Sequence, residues 1–172
     1  MAEITAAMVK ALRDTSGAGM MDCKKALVET GGDSEAAMEE LRKRGIAKAA
    51  KKASRATVQG LVVVRRGDNA AVIAEIGCET DFVARNEVFQ EFAAGVTDRA
   101  LVNNPGQDGD ITAEVVSAEE TALSDMIGKI GENMVISRVE RWESDAAFGA
   151  YIHMGGKIGV LVEAHGDTTE EL

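Results

Sequence analysis

The chain has 172 residues, enough for one ordinary domain or two small ones. Hydrophobic residues make up 45% of it, which supports a buried core, but aromatic residues make up only 3%, which disfavours a surface that stacks nucleic-acid bases. The net charge of −10 is unevenly spread: residues 1–55 carry eleven Lys or Arg against eight Asp or Glu, and residues 56–172 carry eight against twenty-one. The acidic part disfavours a polyanionic partner and favours a basic protein surface.

The sequence disfavours a membrane span, a targeting peptide, a disulfide and a metal or cofactor site. No run of 18 apolar residues could cross a membrane, and the N-terminus lacks the features of an export or transit peptide. Cys23 and Cys78 lie far apart, which predicts reduced thiols in a cytoplasmic protein. Two cysteines and two histidines at unrelated spacings predict no metal site, and no cofactor motif is present.

The first 46 residues predict a bundle of three short helices. In the first helix Ile4, Met8 and Leu12 recur at helical spacing. The second is expected to start after two methionines with Asp22 as its N-cap, and the third at Asp33 or Ser34. We expect the third helix to end at a glycine, in the sequence RKRG at residues 42–45.

A basic segment, IAKAAKKASR, follows the bundle. Its composition favours helix but it has no wide apolar face, so residues 47–57 are interpreted as a partly helical linker. The alternative is an RNA-binding patch within residues 43–55.

From Gly60 the pattern changes to strands. The runs GLVVV and AAVIAEI flank the turn RRGDN and predict a β-hairpin. Two helices, NEVFQEFAAGVTDRALV and SAEETALSDMIGKIGEN, and a strand, MVISRVERW, complete a first α+β core over residues 58–142. Ser117 and Glu120 suggest a capping box at the start of the second helix.

Residues 60–81 and 149–170 are similar to each other in pattern. Each copy has a glycine, a short strand, a glycine-containing turn, an apolar strand with a late glutamate, and a polar corner with a threonine. Residues 143–172 are therefore expected to begin a second core subdomain whose helix starts at Asp167 or Thr168. We expect the chain to be a fragment or a short form of a longer two-copy protein, with a genuine terminus as the alternative. Without its helix layer, the apolar face of the second hairpin is expected to be exposed.

The corner CETDFVARN, at residues 78–86, allows two interpretations from its residues alone. Phe82 could lie in the core with Asp81 as an N-cap, or the pair could serve another function. Catalysis is disfavoured, because neither histidine accompanies a glycine-framed nucleophile and no phosphate-binding loop has the required spacing.

Four segments together resemble the elongation factor Ts family: LRDTSGAGMMDCKKAL (residues 12–27), EIGCETDFVAR (75–85), KIGEN (129–133) and YIHMGGKIGVLVEA (151–164). The order and spacing of the four segments match those of the family. The resemblance covers essentially the whole chain. Ser16 stands where the family usually has threonine and Gly77 where it usually has asparagine. The coiled-coil insertion and C-terminal helices of longer members are not seen.

The resemblance implies a guanine-nucleotide exchange factor for elongation factor Tu, in its GDP-bound and nucleotide-free forms, and not an enzyme. It implies no cofactor, no direct nucleic-acid binding and no membrane binding. The fold implied is α+β: a ubiquitin-associated-like three-helix bundle followed by a core of antiparallel hairpins with packed helices, the second repeat incomplete. The alternative functions are an RNA-binding translation accessory and an adaptor that uses the bundle alone.

The resemblance also implies three sets of binding residues. The first would be inserted near the magnesium and phosphates of the partner's nucleotide and consists of Thr80, Asp81, Phe82 and Val83. The second lies in the bundle and consists of Met20, Met21, Lys24 and Lys25, although the methionines could instead seal the bundle. The third lies in the second repeat and consists of His153, Met154 and Gly155, although His153 could simply be a solvated turn residue.

Overall fold

The computed structural model describes residues 3–104 and 106–166. The chain forms two compact units. Unit 1 comprises the chain up to Ser54 together with Thr121–Glu132, and unit 2 comprises Arg55–Glu120 together with the chain from Asn133 onward. Both helices and antiparallel strands are present, so the predicted α+β class is confirmed.

Unit 1 contains the three helices predicted at the N-terminus and the last turns of a later helix. The three are α1 (Ala6–Ser16), α2 (Met20–Glu29) and α3 (Ser34–Lys52). Their apolar faces enclose a small core made of Val9, Leu12, Cys23, Ala26, Leu27 and Ala37. This cluster has no aromatic side chain.

The starts of α2 and α3 differ in how well they were predicted. The predicted start of α3 at Asp33 or Ser34 is confirmed: the Asp33 carboxylate accepts hydrogen bonds from the backbone N–H groups of Glu35 and Ala36 and caps the helix. The predicted N-cap at Asp22 is wrong, because α2 begins at Met20 with Gly19 as its N-cap. Asp22 lies in the first turn instead, where a negative charge interacts favourably with the helix dipole.

The expected end of α3 at Gly45 is also wrong, since the helix continues to Lys52. A glycine inside a helix costs about 1 kcal/mol relative to alanine, but the flanking turns offset this cost. Arg44 pairs with Glu40 one turn earlier, and Lys48 reaches Asp22 on α2 at 2.9 Å. Part of the predicted linker is thus the last two turns of α3.

Unit 2 contains a four-stranded antiparallel sheet in the order β1-β2-β4-β3. The predicted hairpin is present as β1 and β2, paired from Gln59–Cys78 to Arg66–Ala71. Two helices, α4 and α5, follow it, and α5 packs on β1 and β2. The bounds are β1 (Gln59–Arg66), β2 (Ala70–Cys78), α4 (Asp81–Ala84), α5 (Glu87–Asn103), β3 (Gly109–Asp110), α6 (Thr112–Ile130) and β4 (Met134–Glu143).

The start of α6 was predicted incorrectly. The helix begins at Thr112, so Ser117 and Glu120 lie inside it and form no capping box. The Asp110 carboxylate accepts hydrogen bonds from both the backbone N–H and the hydroxyl of Thr112. The Thr112 hydroxyl in turn accepts from the Val139 N–H on β4, so the helix start is fixed to the sheet.

The second hairpin consists of β5 (Ala147–His153) and β6 (Ile158–Ala164) and also belongs to unit 2. One of its faces packs on the first sheet through Phe148 and Leu161, which contact Ala71. A Cβ on Gly159 would lie 2.3 Å from a methyl group of Val62, so only glycine allows this approach. On the opposite face the apolar side chains are exposed, as expected: Tyr151, Ile158, Val160 and Val162. The predicted helix start at Asp167 or Thr168 lies outside the described residues.

None of the helices in the described parts of the chain combines the length and apolar character that crossing a membrane would require.

Candidate functional site

The corner after β2 exposes an aromatic ring. Phe82 lies in the four-residue helix α4 and is 82% exposed, more than any other large hydrophobic residue among those described. Burying a phenyl ring is favourable by about 2 kcal/mol, and the free chain forgoes this contribution at Phe82. The interpretation of Phe82 as a core residue is therefore wrong.

The N-cap of α4 is Thr80. Its hydroxyl accepts the N–H of Val83 at 3.3 Å. Asp81 is the first helical residue, not a cap, and its carboxylate lies 3.1 Å from the guanidinium of Arg85. The next helix has its own cap, because Asn86 accepts the N–H of Val88. The Asp81 carboxylate is thus left about half exposed beside Phe82, outside any capping role.

Val83 and Ala84 face the opposite way and are buried. Successive residues of a helix point about 100° apart, so burial of these two directs Phe82 towards solvent. Phe89, at the start of α5, is fully buried nearby in sequence. Of the four residues predicted at this corner, Val83 therefore lies in the core, while Phe82 and part of Asp81 are accessible.

The residues predicted in the bundle lie on the first two turns of α2. Met20 is 56% exposed and Met21 is 74% exposed, so neither seals the bundle, and the alternative of a loop plug is wrong. Lys24 and Lys25 are exposed as well. Cys23 occupies the buried side of the same helix. One face of α2 thus combines thioethers and cations.

The residues predicted in the second repeat lie at the tip of the β5–β6 hairpin. His153 ends β5, and its Nδ1 atom lies 2.8 Å from the hydroxyl of Tyr151, with the two rings stacked. Met154 is 70% exposed and has a positive φ of 51°, while Gly155 has a φ of 63°. The tip therefore presents a polar ring pair and a thioether.

Sequence reasoning missed two of these contacts, Arg85 with Asp81 and Tyr151 with His153. The spacing could have indicated both, because residues four apart in a helix and two apart in a strand share a face. The predicted sets themselves lie on three separate elements: α4, α2 and the β5–β6 tip.

The basic segment proposed as an RNA patch has several of its cations already paired. Arg44 pairs with Glu29 and Glu40, Lys48 with Asp22, and Arg55 with Glu79. Pairing lowers the positive potential that a polyanion would meet.

In the part of the chain that the structure describes, no group of three or more His, Cys, Asp or Glu side chains could hold a metal ion. Cys23 and Cys78 are both free thiols and both buried.

Comparison with known proteins adds a family match. A family model described as elongation factor TS matches residues 79–172, which is more than half of the chain. A protein of Trichlorobacter lovleyi named elongation factor Ts is 47% identical over 175 residues, an alignment that covers 97% of this chain and 56% of the relative. The chain thus spans little more than half the length of that relative.

Proposed function

Because this chain belongs to the elongation factor Ts family, we propose that it acts in translation elongation by promoting the release of GDP from elongation factor Tu in the cytoplasm. The observation that carries the proposal is the exposed ring of Phe82 on a short helix whose other side is buried. A ring held out in this way is suited to insertion into a partner.

Insertion of a phenyl ring between packed elements of a GTPase has a specific physical consequence. Protein interiors are close-packed, so an added ring forces a discrete shift of the elements around it instead of a gradual deformation. Magnesium requires near-octahedral coordination, so a small displacement of its ligands weakens the binding of the ion. A wedge beside the nucleotide site would therefore loosen the ion and then the nucleotide.

The Asp81 carboxylate would act beside the ring. It is accessible and close enough to Phe82 to enter the same cavity of a partner. A negative charge brought near the magnesium site would compete for the ion's water shell and for the groups hydrogen-bonded to it. Thr80 and Val83 would hold the helix that carries the pair, through its cap and its buried side.

Two further surfaces would contribute affinity. Met20 and Met21 offer adaptable thioethers on α2, which suit an irregular protein surface. Lys24 and Lys25 would pair with acids of the partner, although exposed pairs contribute only about 0–1 kcal/mol each. At the second hairpin His153, Met154 and Gly155 would form a separate contact.

Such a function makes and breaks no covalent bond. It requires only that the factor and the nucleotide weaken each other's binding, and by thermodynamic linkage the two effects are equal in ratio. The factor would therefore bind the nucleotide-free partner tightly and leave when GTP binds.

The test is stopped-flow release of a fluorescent GDP analogue from elongation factor Tu. We expect the chain to accelerate release and the Phe82→Ala variant to lose about 2 kcal/mol of this effect, or roughly thirty-fold in rate. Val102→Ala is the matched control, because Val102 lies on α5 and is 71% exposed.

Both variants truncate an exposed apolar residue, so the free chain should remain equally stable in each, and thermal unfolding checks this. An unchanged rate with Phe82→Ala would exclude the ring as the wedge. Equal losses in both variants would point to a general loss of apolar surface.

A further inference from the structure

Glu79 connects three segments of unit 2 immediately before the corner that carries Phe82. Its Oε1 atom accepts the backbone N–H of Asn133 at 2.5 Å and lies 3.4 Å from a guanidinium nitrogen of Arg55. Glu79 lies between the last residue of β2, Cys78, and the N-cap of α4, Thr80. One carboxylate oxygen is thus shared by two donors from distant parts of the sequence.

Asn133 completes a closed arrangement. Its side-chain amide donates to the backbone carbonyl of Arg55 at 2.8 Å. Asn133 is only 2% exposed, so its backbone N–H has little access to water and depends on an acceptor within the protein. The three residues therefore hold one another through backbone and side-chain groups, and Glu79 supplies the shared acceptor.

The helix that carries Phe82 needs such support. A helix of four residues is far shorter than the length at which isolated helices become stable, so α4 is held by its surroundings. On its C-terminal side Val83 and Ala84 are buried. On its N-terminal side the thiol of Cys78 donates to the carbonyl of Thr80 at 3.2 Å, and Glu79, the residue between them, accepts the N–H of Asn133.

We propose that Glu79 is a positioning residue for the wedge: through Asn133 and Arg55 it fixes the direction in which Phe82 leaves the protein surface. The proposal rests on the function proposed above. A ring that is already held in its bound direction loses less conformational freedom on insertion, and a loose ring would have to be ordered at the expense of affinity.

Two substitutions separate this role from others. Glu79→Ala removes the acceptor, whereas Glu79→Gln keeps an oxygen that can accept from Asn133 and loses only the charge. We expect Glu79→Ala to slow GDP release from elongation factor Tu about ten-fold relative to the unmodified chain, and Glu79→Gln to stay within about three-fold. Glu91→Ala, an exposed glutamate on α5, is the control and should leave the rate unchanged.

A second readout does not depend on the partner. Hydrogen–deuterium exchange of the free chain should be faster at the amides of residues 80–85 in Glu79→Ala, with the α5 amides unchanged. Exchange is measured well below the unfolding temperature of each variant, so global destabilisation alone would not produce this local pattern.

The outcomes are distinguishable. If the unmodified chain accelerates GDP release and Phe82→Ala does not, but Glu79→Ala is fully active or exchanges deuterium normally at residues 80–85, the positioning role is wrong. If both Glu79 variants slow GDP release equally but exchange deuterium normally at residues 80–85, Glu79 does not act by holding the corner, which also overturns the positioning role. If the unmodified chain is inactive, the proposed function fails, while deuterium exchange still decides whether Glu79 holds the corner.

Discussion

Phe82 and Phe89 are the same residue type seven positions apart, yet one is 82% exposed and the other is fully buried. Hydrophobicity treats them alike, so the difference arises from their neighbours. Val83 and Ala84 fill the core side of α4, and the helical rotation leaves Phe82 on the outside. The exposure of the ring is thus a consequence of the short helix α4. A binding role would require a ring presented in this way.

Asp81 provides a test at the scale of a single charge. Asp81→Asn keeps the size of the side chain and removes its charge. Its ion pair with Arg85 is exposed and contributes only about 0–1 kcal/mol, so stability should hardly change. We expect slower GDP release from elongation factor Tu when magnesium is present and little change when it is chelated.

The control for this substitution is Arg85→Ala. It loses the same ion pair but keeps the carboxylate, and release should stay close to that of the unmodified chain. A loss in Asp81→Asn that is equal with and without magnesium would contradict the role assigned to the charge.

At the scale of elements, α3 continues through Gly45, a residue that disfavours helix. A Cβ added there would meet only the Asp125 carboxylate at 3.9 Å and the Ser124 carbonyl at 4.0 Å, which are ordinary contacts. Gly45→Ala should therefore raise the free energy of unfolding by about 0.5–1 kcal/mol, measured by urea denaturation. A decrease would mean that the last two turns of α3 require the flexibility of glycine.

The loop between α5 and β3 is held by a charge. Glu143 accepts the backbone N–H of Gly106 at 2.9 Å and lies 2.6 Å from the guanidinium of Arg141, which also donates to the carbonyl of Gln107. These donors, the Gly106 N–H first and Arg141 second, hold the pKa of the Glu143 carboxyl below its ordinary value of 4.5.

The lowered pKa fixes the sign of a pH effect. A carboxyl group whose pKa is lower in the folded state than in the unfolded state stabilises the fold. This stabilisation is complete when the pH is above the unfolded-state pKa, and it is lost as the pH falls through the folded-state pKa. Glu143→Gln should therefore be less stable than the unmodified chain at neutral pH, and the difference should shrink below pH 4.5. Urea denaturation at values from about pH 3 to about pH 7 measures the difference in unfolding free energy between the two chains. A difference that does not depend on pH would rule out the ionic contact.

Elements with a regular apolar pattern were predictable from the sequence, and their ends were less so. The β1–β2 hairpin follows from its β-branched runs, and α3 begins at Ser34 because the preceding Asp33 can accept two N–H groups as its N-cap. The start of α6 was missed because Ser117 and Glu120 have capping-box spacing, whereas the actual start is fixed by Asp110 and a sheet contact made by Thr112. Contacts between distant segments, such as Glu79 with Asn133, leave no local pattern and could not be predicted.

At the scale of the whole molecule, the three proposed binding surfaces belong to different parts of the chain. α2 lies in unit 1, while α4 and the β5–β6 tip lie in unit 2. The acidic balance of residues 56–172 would favour a basic partner surface and speed association at low salt. Under the proposed function no single surface would have to supply the whole affinity, and only the corner with Asp81 and Phe82 would act on the nucleotide site.

The central claim is that binding of this chain and binding of GDP oppose each other on one partner. Titration calorimetry of the chain into elongation factor Tu, once nucleotide-free and once saturated with GDP, measures this directly. We expect tight binding to the nucleotide-free form, much weaker binding to the GDP form, and a ratio equal to the loss of GDP affinity caused by the chain. Equal affinity for the two forms would contradict the account, because a ligand that binds both states equally cannot shift nucleotide release.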